Sequence, residues 1–371
     1  MSTLQELFEQ KGAMLFQNES IALDHYYLEP YQDANDEDSD VYNMDSPFET
    51  DESKKKRRLC VQSRPFSLFK YFMDGSRRTY KVGDLVIPGR KIYPVIAAQV
   101  RAGCVERNRR KVNSKELFAK NYLLLSDSFN EVNYDEIKRC IDRCDKFNPS
   151  VTVEKYSYMK SKDSSPNSAA IAKANSLMHQ MEVDILSDMV KAEILETDKM
   201  LIVDGPLQFL AEDSKKDEFA DLFYNVVGVS KSFDPNLPTS DKRSSSHVGA
   251  FILDLKYGER TPVFRKKNSM MRVFGFWYLR IRKRTNIKNP LDGIIKVEKM
   301  AIREDIKNGF NTDVIDNISL SLLAEGIPTC HGRDNRWASH LYPIYMAETM
   351  IKSTFSSDIY FINQFQRNVF K

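Results

Sequence analysis

The sequence predicts an α/β fold, a mixed sheet flanked by helices, with an inserted basic β-rich element and a helical C-terminal part. Three observations carry this expectation. Two short apolar runs, Phe66 to Met73 and Lys199 to Val203, each close on Asp-Gly and read as strands followed by turns. Between them, Ala169 to Glu196 repeats apolar residues at spacings of three and four: Ile171, Ala174, Met178, Met181, Ile185, Met189 and Ala192. That spacing makes one buried helical stripe. From Phe251 to Lys299 aromatic and branched residues dominate, most densely in Met271 to Ile281, as antiparallel strands require.

The remaining elements follow in order. Residues 1–30 read as an N-terminal helical segment, with Leu4 to Phe16 its apolar part. Residues 31–60 read as a linker: nine acids from Tyr31 to Glu52 without one Lys or Arg, then Lys54-Lys55-Lys56-Arg57-Arg58. Such blocks repel themselves and stay extended. Residues 61–371 form the main domain, with the basic β-rich element at about 250–300. Ile92 to Cys104 is a further strand region, and residues 112–146 mix helix and strand signals. Asp217 to Tyr224 reads as helix, Asn225 to Ser230 as strand and residues 232–247 as polar loop. Asn311 to Ala324 and Ile344 to Ser353 read as helices.

Composition excludes several classes. At 371 residues, 42% hydrophobic and 29% charged, the chain is globular and neither fibrous nor wholly disordered. A net charge of +3 gives no bulk argument for nucleic acid, so only local charge can make one. Five cysteines are too few and odd in number for a secreted disulfide framework. Cys140 and Cys144 could make half a zinc site, but no second pair supports it. No leader opens the chain and no apolar run reaches about 20 residues, so the sequence reads as soluble and cytoplasmic. No GxxxxGK[ST] loop occurs, so any ATP-driven step belongs to a partner.

The acids at the strand ends suggest chemistry. Neighbouring strands would bring Asp74 and Asp204 to one sheet edge. Carboxylates that converge there need a cation, and hard oxygen donors select Mn²⁺ or Mg²⁺. A third ligand should come from the helix. At about 100° per residue, Glu182 falls beside the apolar stripe, between Met189 and Leu186. Asp184 and Asp188 fall away from it, and Glu193 sits near the helix end. An unpaired carboxylate on a buried face is costly, so Glu182 is the favoured third ligand. Asp on a strand, Glu on a helix, Asp on the next central strand is the ligand order of the ribonuclease-H-like fold. Such sites hydrolyse phosphodiesters with carboxylate-held metal pairs.

Four blocks resemble the NurA nuclease family. They are Tyr71-Phe72-Met73-Asp74-Gly75-Ser76-Arg77-Arg78, then Leu201-Ile202-Val203-Asp204-Gly205-Pro206-Leu207. Val227-Gly228-Val229-Ser230-Lys231-Ser232 and Tyr342-Pro343-Ile344-Tyr345-Met346-Ala347 follow in family order. The resemblance implies a ribonuclease-H-like fold, Mn²⁺-dependent DNA cleavage, a homodimer and partnership with a hexameric HerA-type ATPase translocase at DNA ends. It matches Asp74 and Asp204 to metal-binding aspartates, with Glu182 as the helical acid. It matches Lys231 to a lysine that meets phosphate, and Tyr342 to the tyrosine of the terminal motif. The family places a histidine eight residues after that tyrosine, where this chain has Met350. Glu348 is the expected replacement, as a fourth carboxylate from a C-terminal helix; His340 lies two residues before the tyrosine.

Lys256 to Lys288 carries eleven basic residues and one acid, Glu259. Phe264, Phe274, Phe276, Trp277 and Tyr278 interleave with them. Basic side chains attract phosphates and aromatics stack on unpaired bases. The expected DNA contacts are Arg77, Arg78, Lys231, Arg265, Lys266, Lys267, Arg280, Arg282 and Tyr342. A smaller basic stretch runs from Arg101 to Lys115. Two rival readings remain. One is a different nuclease core built on Asp254-Leu255-Lys256 with Asp241. The other is a non-catalytic DNA-binding or assembly subunit of a translocase complex.

Overall fold

The computed structural model describes residues 3–23, 41–53, 55–61, 67–89, 91–109, 111–129, 134–142, 147–160, 165–207, 223–235, 248–268, 272–285, 289–330 and 337–370. Helix α1 (Leu4–Gln10) precedes β1 (Met14–Ala22) and two short strands, β2 (Val41–Asn43) and β3 (Arg57–Arg58). Three long strands follow: β4 (Phe69–Ile87), β5 (Lys91–Asn108) and β6 (Lys111–Ser126). Next come α2 (Tyr134–Asp142), β7 (Val151–Tyr156), α3 (Pro166–Lys191), β8 (Met200–Asp204) and β9 (Val226–Ser230). Helix α4 (Val248–Leu253) leads into β10 (Glu259–Arg260), β11 (Phe264–Lys267), β12 (Val273–Arg280) and β13 (Ile294–Met300). Helices α5 (Arg303–Asn308), α6 (Thr312–Glu325), α7 (Tyr342–Lys352) and α8 (Asp358–Gln364) end the chain.

These strands join one mixed sheet in the order β2-β11-β12-β13-β9-β8-β4-β5-β6-β7. Strand β1 pairs with β4, and β10 pairs with β12 and β3. The central pairs β4–β8 and β8–β9 are parallel, as is β6–β7. The rest of the sheet is antiparallel. Helix α3 covers one face with Met181, Ile185 and Met189 against Met73, Leu201 and Val203. Helices α6 and α7 cover the other with Ile315, Leu322 and Ile344 against Phe72, Ile202 and Val229. Strands buried on both faces read as continuous apolar runs, which is why the sequence signalled β8 and β9 clearly.

Several expectations are corrected. Asp74-Gly75 does not turn the chain: β4 runs straight through it for 19 residues. Its partner β5 supplies the ladder, with Asp74 opposite Gly103 and Gly75 opposite Ala102. Among its described residues the N-terminal segment is helical only over α1, since β1 pairs with the far half of β4. The expected linker contributes β2 and β3 to the sheet. Helix α4 takes the first three residues, Phe251 to Leu253, of the region expected to be strand. Helix α3 starts three residues before the expected Ala169, at Pro166, because Ser165 caps it by accepting the Ser168 N–H, and it ends at Lys191 rather than Glu196. The expected helix at Asp217 to Tyr224 falls largely outside the described residues, as does most of the acidic run. Among the described residues no helix is long and apolar enough to cross a membrane.

One interior lysine should set a pH dependence of stability. Lys299 on β13 is buried, lies 3.5 Å above the Tyr224 ring and donates to the Tyr224 carbonyl. Burial pulls its pKa from 10.5 down to about 7, against the opposing pull of Asp305. Between those values the unfolded chain holds a proton that the folded chain lacks, so stability rises with pH across this window. Lys299→Met should therefore stabilise the protein at pH 7 by roughly 2–4 kcal/mol and flatten that slope. Urea unfolding at pH 7 and pH 9.5 checks both; a destabilised variant would contradict it.

Candidate functional site

The parallel centre of the sheet assembles the site. Met73 on β4 sits in register with Val203 on β8, so the residues after them, Asp74 and Asp204, emerge side by side. Strand β9 lies on the other side of β8, with Val229 opposite Asp204, and ends one residue before Lys231. Carboxyl ends of parallel strands are the usual place for a ligand in such sheets. Lys231 Nζ stands 2.5 Å from Asp204 Oδ2, and both side chains are nearly enclosed. Helix α7 brings Glu348, which accepts from Lys352 at 2.5 Å and lies 4.0 Å from His340 Nδ1.

Glu182 reaches the site from α3, on the opposite face. Glycine at position 75 permits this: a Cβ there would stand 2.5 Å from Glu182 Oε1 and 2.8 Å from Met178 Cγ. The glycine expected to serve a turn serves a close approach instead. His179, one helical turn before Glu182, lies 3.2 Å from its Oε2. Gly75→Val should displace Glu182 and Met178, with a loss of at least about tenfold in activity. Initial cleavage rates beside a thermal melt check this; a folded variant with full activity would contradict it.

The electrostatics follow from burial and crowding. Burial pushes the Asp74 carboxyl well above the usual carboxylate range, and Asp204 pushes it further, with Lys231 opposing. Glu348 and Glu182 add to the rise. Burial also raises Glu182, which His179 partly offsets. For Lys231 burial favours the neutral amine, but Asp204, Asp74 and Glu348 outweigh it and hold the ammonium above its ordinary pKa. Burial likewise opposes ionisation of Glu348, yet Lys231 and Lys352 prevail and lower it. The cluster therefore has four carboxyls and one buried lysine, an excess of negative groups that a cation relieves. All four are hard oxygen donors, so the donor set suits Mn²⁺ or Mg²⁺. Among the described residues no three Asp, Glu, His or Cys side chains stand close enough together to hold an ion as placed. The cation at Asp204 is the Lys231 ammonium.

The other expected contact residues are dispersed. Arg77 donates to Asn175 and Thr79. Arg78 binds Asp358 at 2.8 Å and stacks 4.8 Å above Phe355. Arg265 lies over Phe48, and Lys267 and Tyr342 are half-buried. Arg282 donates to the Gly326 carbonyl. Lys266 and Arg280 are each only 1% exposed, so they present no charge to a surface. Lys266 pairs with Glu298, and Arg280 donates to the Asp292 carbonyl. Lys266 lies on the buried face of β11, whose burial alternates, and Arg280 ends β12, which is buried on both faces. Met350, where the motif resemblance leads one to expect a histidine, leans on the core beneath α7. Asp254, of the rival core, is exposed and paired with Lys56, and Asp241 lies outside the described residues.

Sequence reasoning missed His179 and Glu298. His179 had a usable signal, the i, i+3 spacing to Glu182. Glu298 had none.

No family model matches the sequence, and no curated protein matches it. Among solved structures, the chain is similar to the NurA nuclease from Sulfolobus solfataricus. The identity is 10% and the TM-score 0.39, over 80% of this chain and 81% of that one.

Proposed function

We propose that the chain is a divalent-metal-dependent deoxyribonuclease that hydrolyses phosphodiester bonds at the Asp74–Asp204 cluster. One observation carries this reading: buried Asp74, within β4 where its parallel pairing with β8 stops, lies beside Asp204, Glu348 and Glu182, with one lysine among them. Asp74 and Asp204 would hold the cation, with Glu182 and Glu348 from the two faces. When bound, Mn²⁺ or Mg²⁺ lowers the pKa of an attacking water and neutralises charge on the phosphate. With a cation held there, Lys231 would swing from Asp204 and offer its ammonium to a phosphate oxygen. Arg77, Arg78, Arg265, Lys267, Arg282 and Tyr342 each keep some exposed surface and are the proposed DNA contacts. Lys266 and Arg280 are not among them.

The motif resemblance supports the same residues. It adds a ribonuclease-H-like core, a homodimer and a HerA-type ATPase translocase partner at DNA ends; the proposed setting is the cytoplasm, in repair or antiphage defence. The second reading, a non-catalytic subunit of such a complex, is favoured by Lys231 standing at Asp204 and by Met350. End-labelled linear DNA with purified protein in Mn²⁺, Mg²⁺ and EDTA separates the two. Cleavage in metal that stops in chelator supports the nuclease. No cleavage in any metal, alone or with the translocase, supports the scaffold.

A further inference from the structure

A buried charge cluster lies behind the Asp204 turn. Glu298 on β13 is fully enclosed, with Lys266 Nζ 3.2 Å and Lys296 Nζ 3.1 Å from its Oε1. Its Oε2 accepts the Leu207 N–H at 3.2 Å. Leu207 is the fourth residue of Asp204-Gly205-Pro206-Leu207, so this bond ties the end of the site's turn to a different strand. The near end is tied as well: Gly205 N–H donates to the Val229 carbonyl at 2.9 Å. Gly205 takes φ +118°, and its carbonyl passes so close to β9 that a Cβ on Gly228 would stand 2.8 Å from it. The same Cβ would stand 2.9 Å from Leu207 Cγ. The turn is therefore clamped between β9 and Glu298.

Two lysines on one glutamate are more than a neutral pair needs. Burial opposes the Glu298 charge, but Lys266 and Lys296 hold its pKa down to about 2. The carboxylate stays ionised at any working pH, so its acceptor oxygen for Leu207 is constant. A buried ionic cluster is weak evidence for stability, since apolar replacements of similar size are often as stable. Its directional consequence here is the hold on one backbone N–H.

We infer that Glu298, fixed by Lys266 and Lys296, is a positioning residue that sets the Asp204 carboxylate through the Leu207 N–H. This rests on the nuclease reading of Asp204. Lys266 thereby acts on the site from inside the protein, rather than as a DNA contact.

Two variants of the full chain test it. Lys266→Met, Lys296→Met and Glu298→Met together replace the cluster with apolar side chains of similar length and leave Leu207 without its acceptor. Glu298→Gln keeps a weaker, neutral acceptor. Hydrogen exchange at Leu207, Mn²⁺ affinity by calorimetry and cleavage rate are read beside thermal melts. The triple variant should melt near the wild type, exchange Leu207 at least about tenfold faster and bind Mn²⁺ about 10–100-fold more weakly. Glu298→Gln should fall between, and decides the matter if the triple variant does not fold. Unchanged Leu207 exchange, or faster exchange with unchanged Mn²⁺ affinity, overturns the inference while wild-type cleavage stands. A wild type that neither binds Mn²⁺ nor cuts overturns the nuclease reading, and the positioning role with it, whatever the turn does.

Discussion

Asp204→Asn and Asp74→Asn should each abolish metal-dependent cleavage while leaving a folded, and for Asp74 a more stable, protein. Loss of a cation-holding carboxylate should lower the rate by roughly 10³-fold or more. The stability effect runs the other way. Asp74 is buried beside Asp204, and its folded pKa is raised by burial and then by that neighbour. The folded chain therefore keeps a proton that the unfolded chain releases above pH 3.8. Stability from this group is full at low pH and falls as pH rises through that value toward the raised folded pKa. Asparagine carries no charge, so Asp74→Asn should gain about 1–2 kcal/mol at neutral pH without metal and lose that slope. Urea unfolding at pH 4 and pH 7 checks the sign. A purely structural carboxylate would show the opposite pattern, lower stability with cleavage retained.

Arg260→Met should destabilise the protein by about 3–5 kcal/mol, because it strands a buried carboxylate. The Arg260 guanidinium is fully enclosed. It donates to Glu49 Oε1 at 3.1 Å and Oε2 at 2.8 Å, and its Nε donates to Asp316 Oδ1 at 2.6 Å. Glu49 has one further donor, the Val263 N–H at 2.9 Å. Arg57 on β3 also donates to Asp316, which joins α6, β3 and β10 in one network. Arg260→Lys should recover only part of the loss, since an ammonium cannot span both Glu49 oxygens and Asp316. The midpoint of urea unfolding reads this. A loss under 1 kcal/mol would mean that Glu49 relaxes to solvent.

The same residues show what the sequence could and could not reveal. Asp204 was legible because a short apolar run followed by Asp-Gly is a local pattern, and β8 obeys it. Asp74 was legible for the same reason, but its turn was not there. Gly75 is needed by a helix about 100 positions later, and local patterns carry no such information. Glu182 was legible because its position relative to the α3 stripe is a matter of helical spacing. The basic segment misled for the reverse reason. Arg260 is balanced by Glu49, 211 positions away in the apparent acidic linker, and Lys266 by Glu298, 32 positions away. A charge count along the chain sees neither pairing. One interior ion pair, Glu49–Arg260, joins the run of acids to the run of bases. Lys231 shows a further limit: the motif resemblance singled it out, but only the fold sets its ammonium on Asp204.

The proposed nuclease depends on a divalent cation held by the Asp74–Asp204 cluster. Anomalous diffraction at the manganese edge from crystals soaked in Mn²⁺ tests it most directly. The expected result is a peak bounded by Asp74 and Asp204, with Lys231 withdrawn from Asp204, and no peak there in Asp204→Asn. Millimolar Mn²⁺ that leaves no peak at this cluster, with Lys231 still on Asp204, would contradict it.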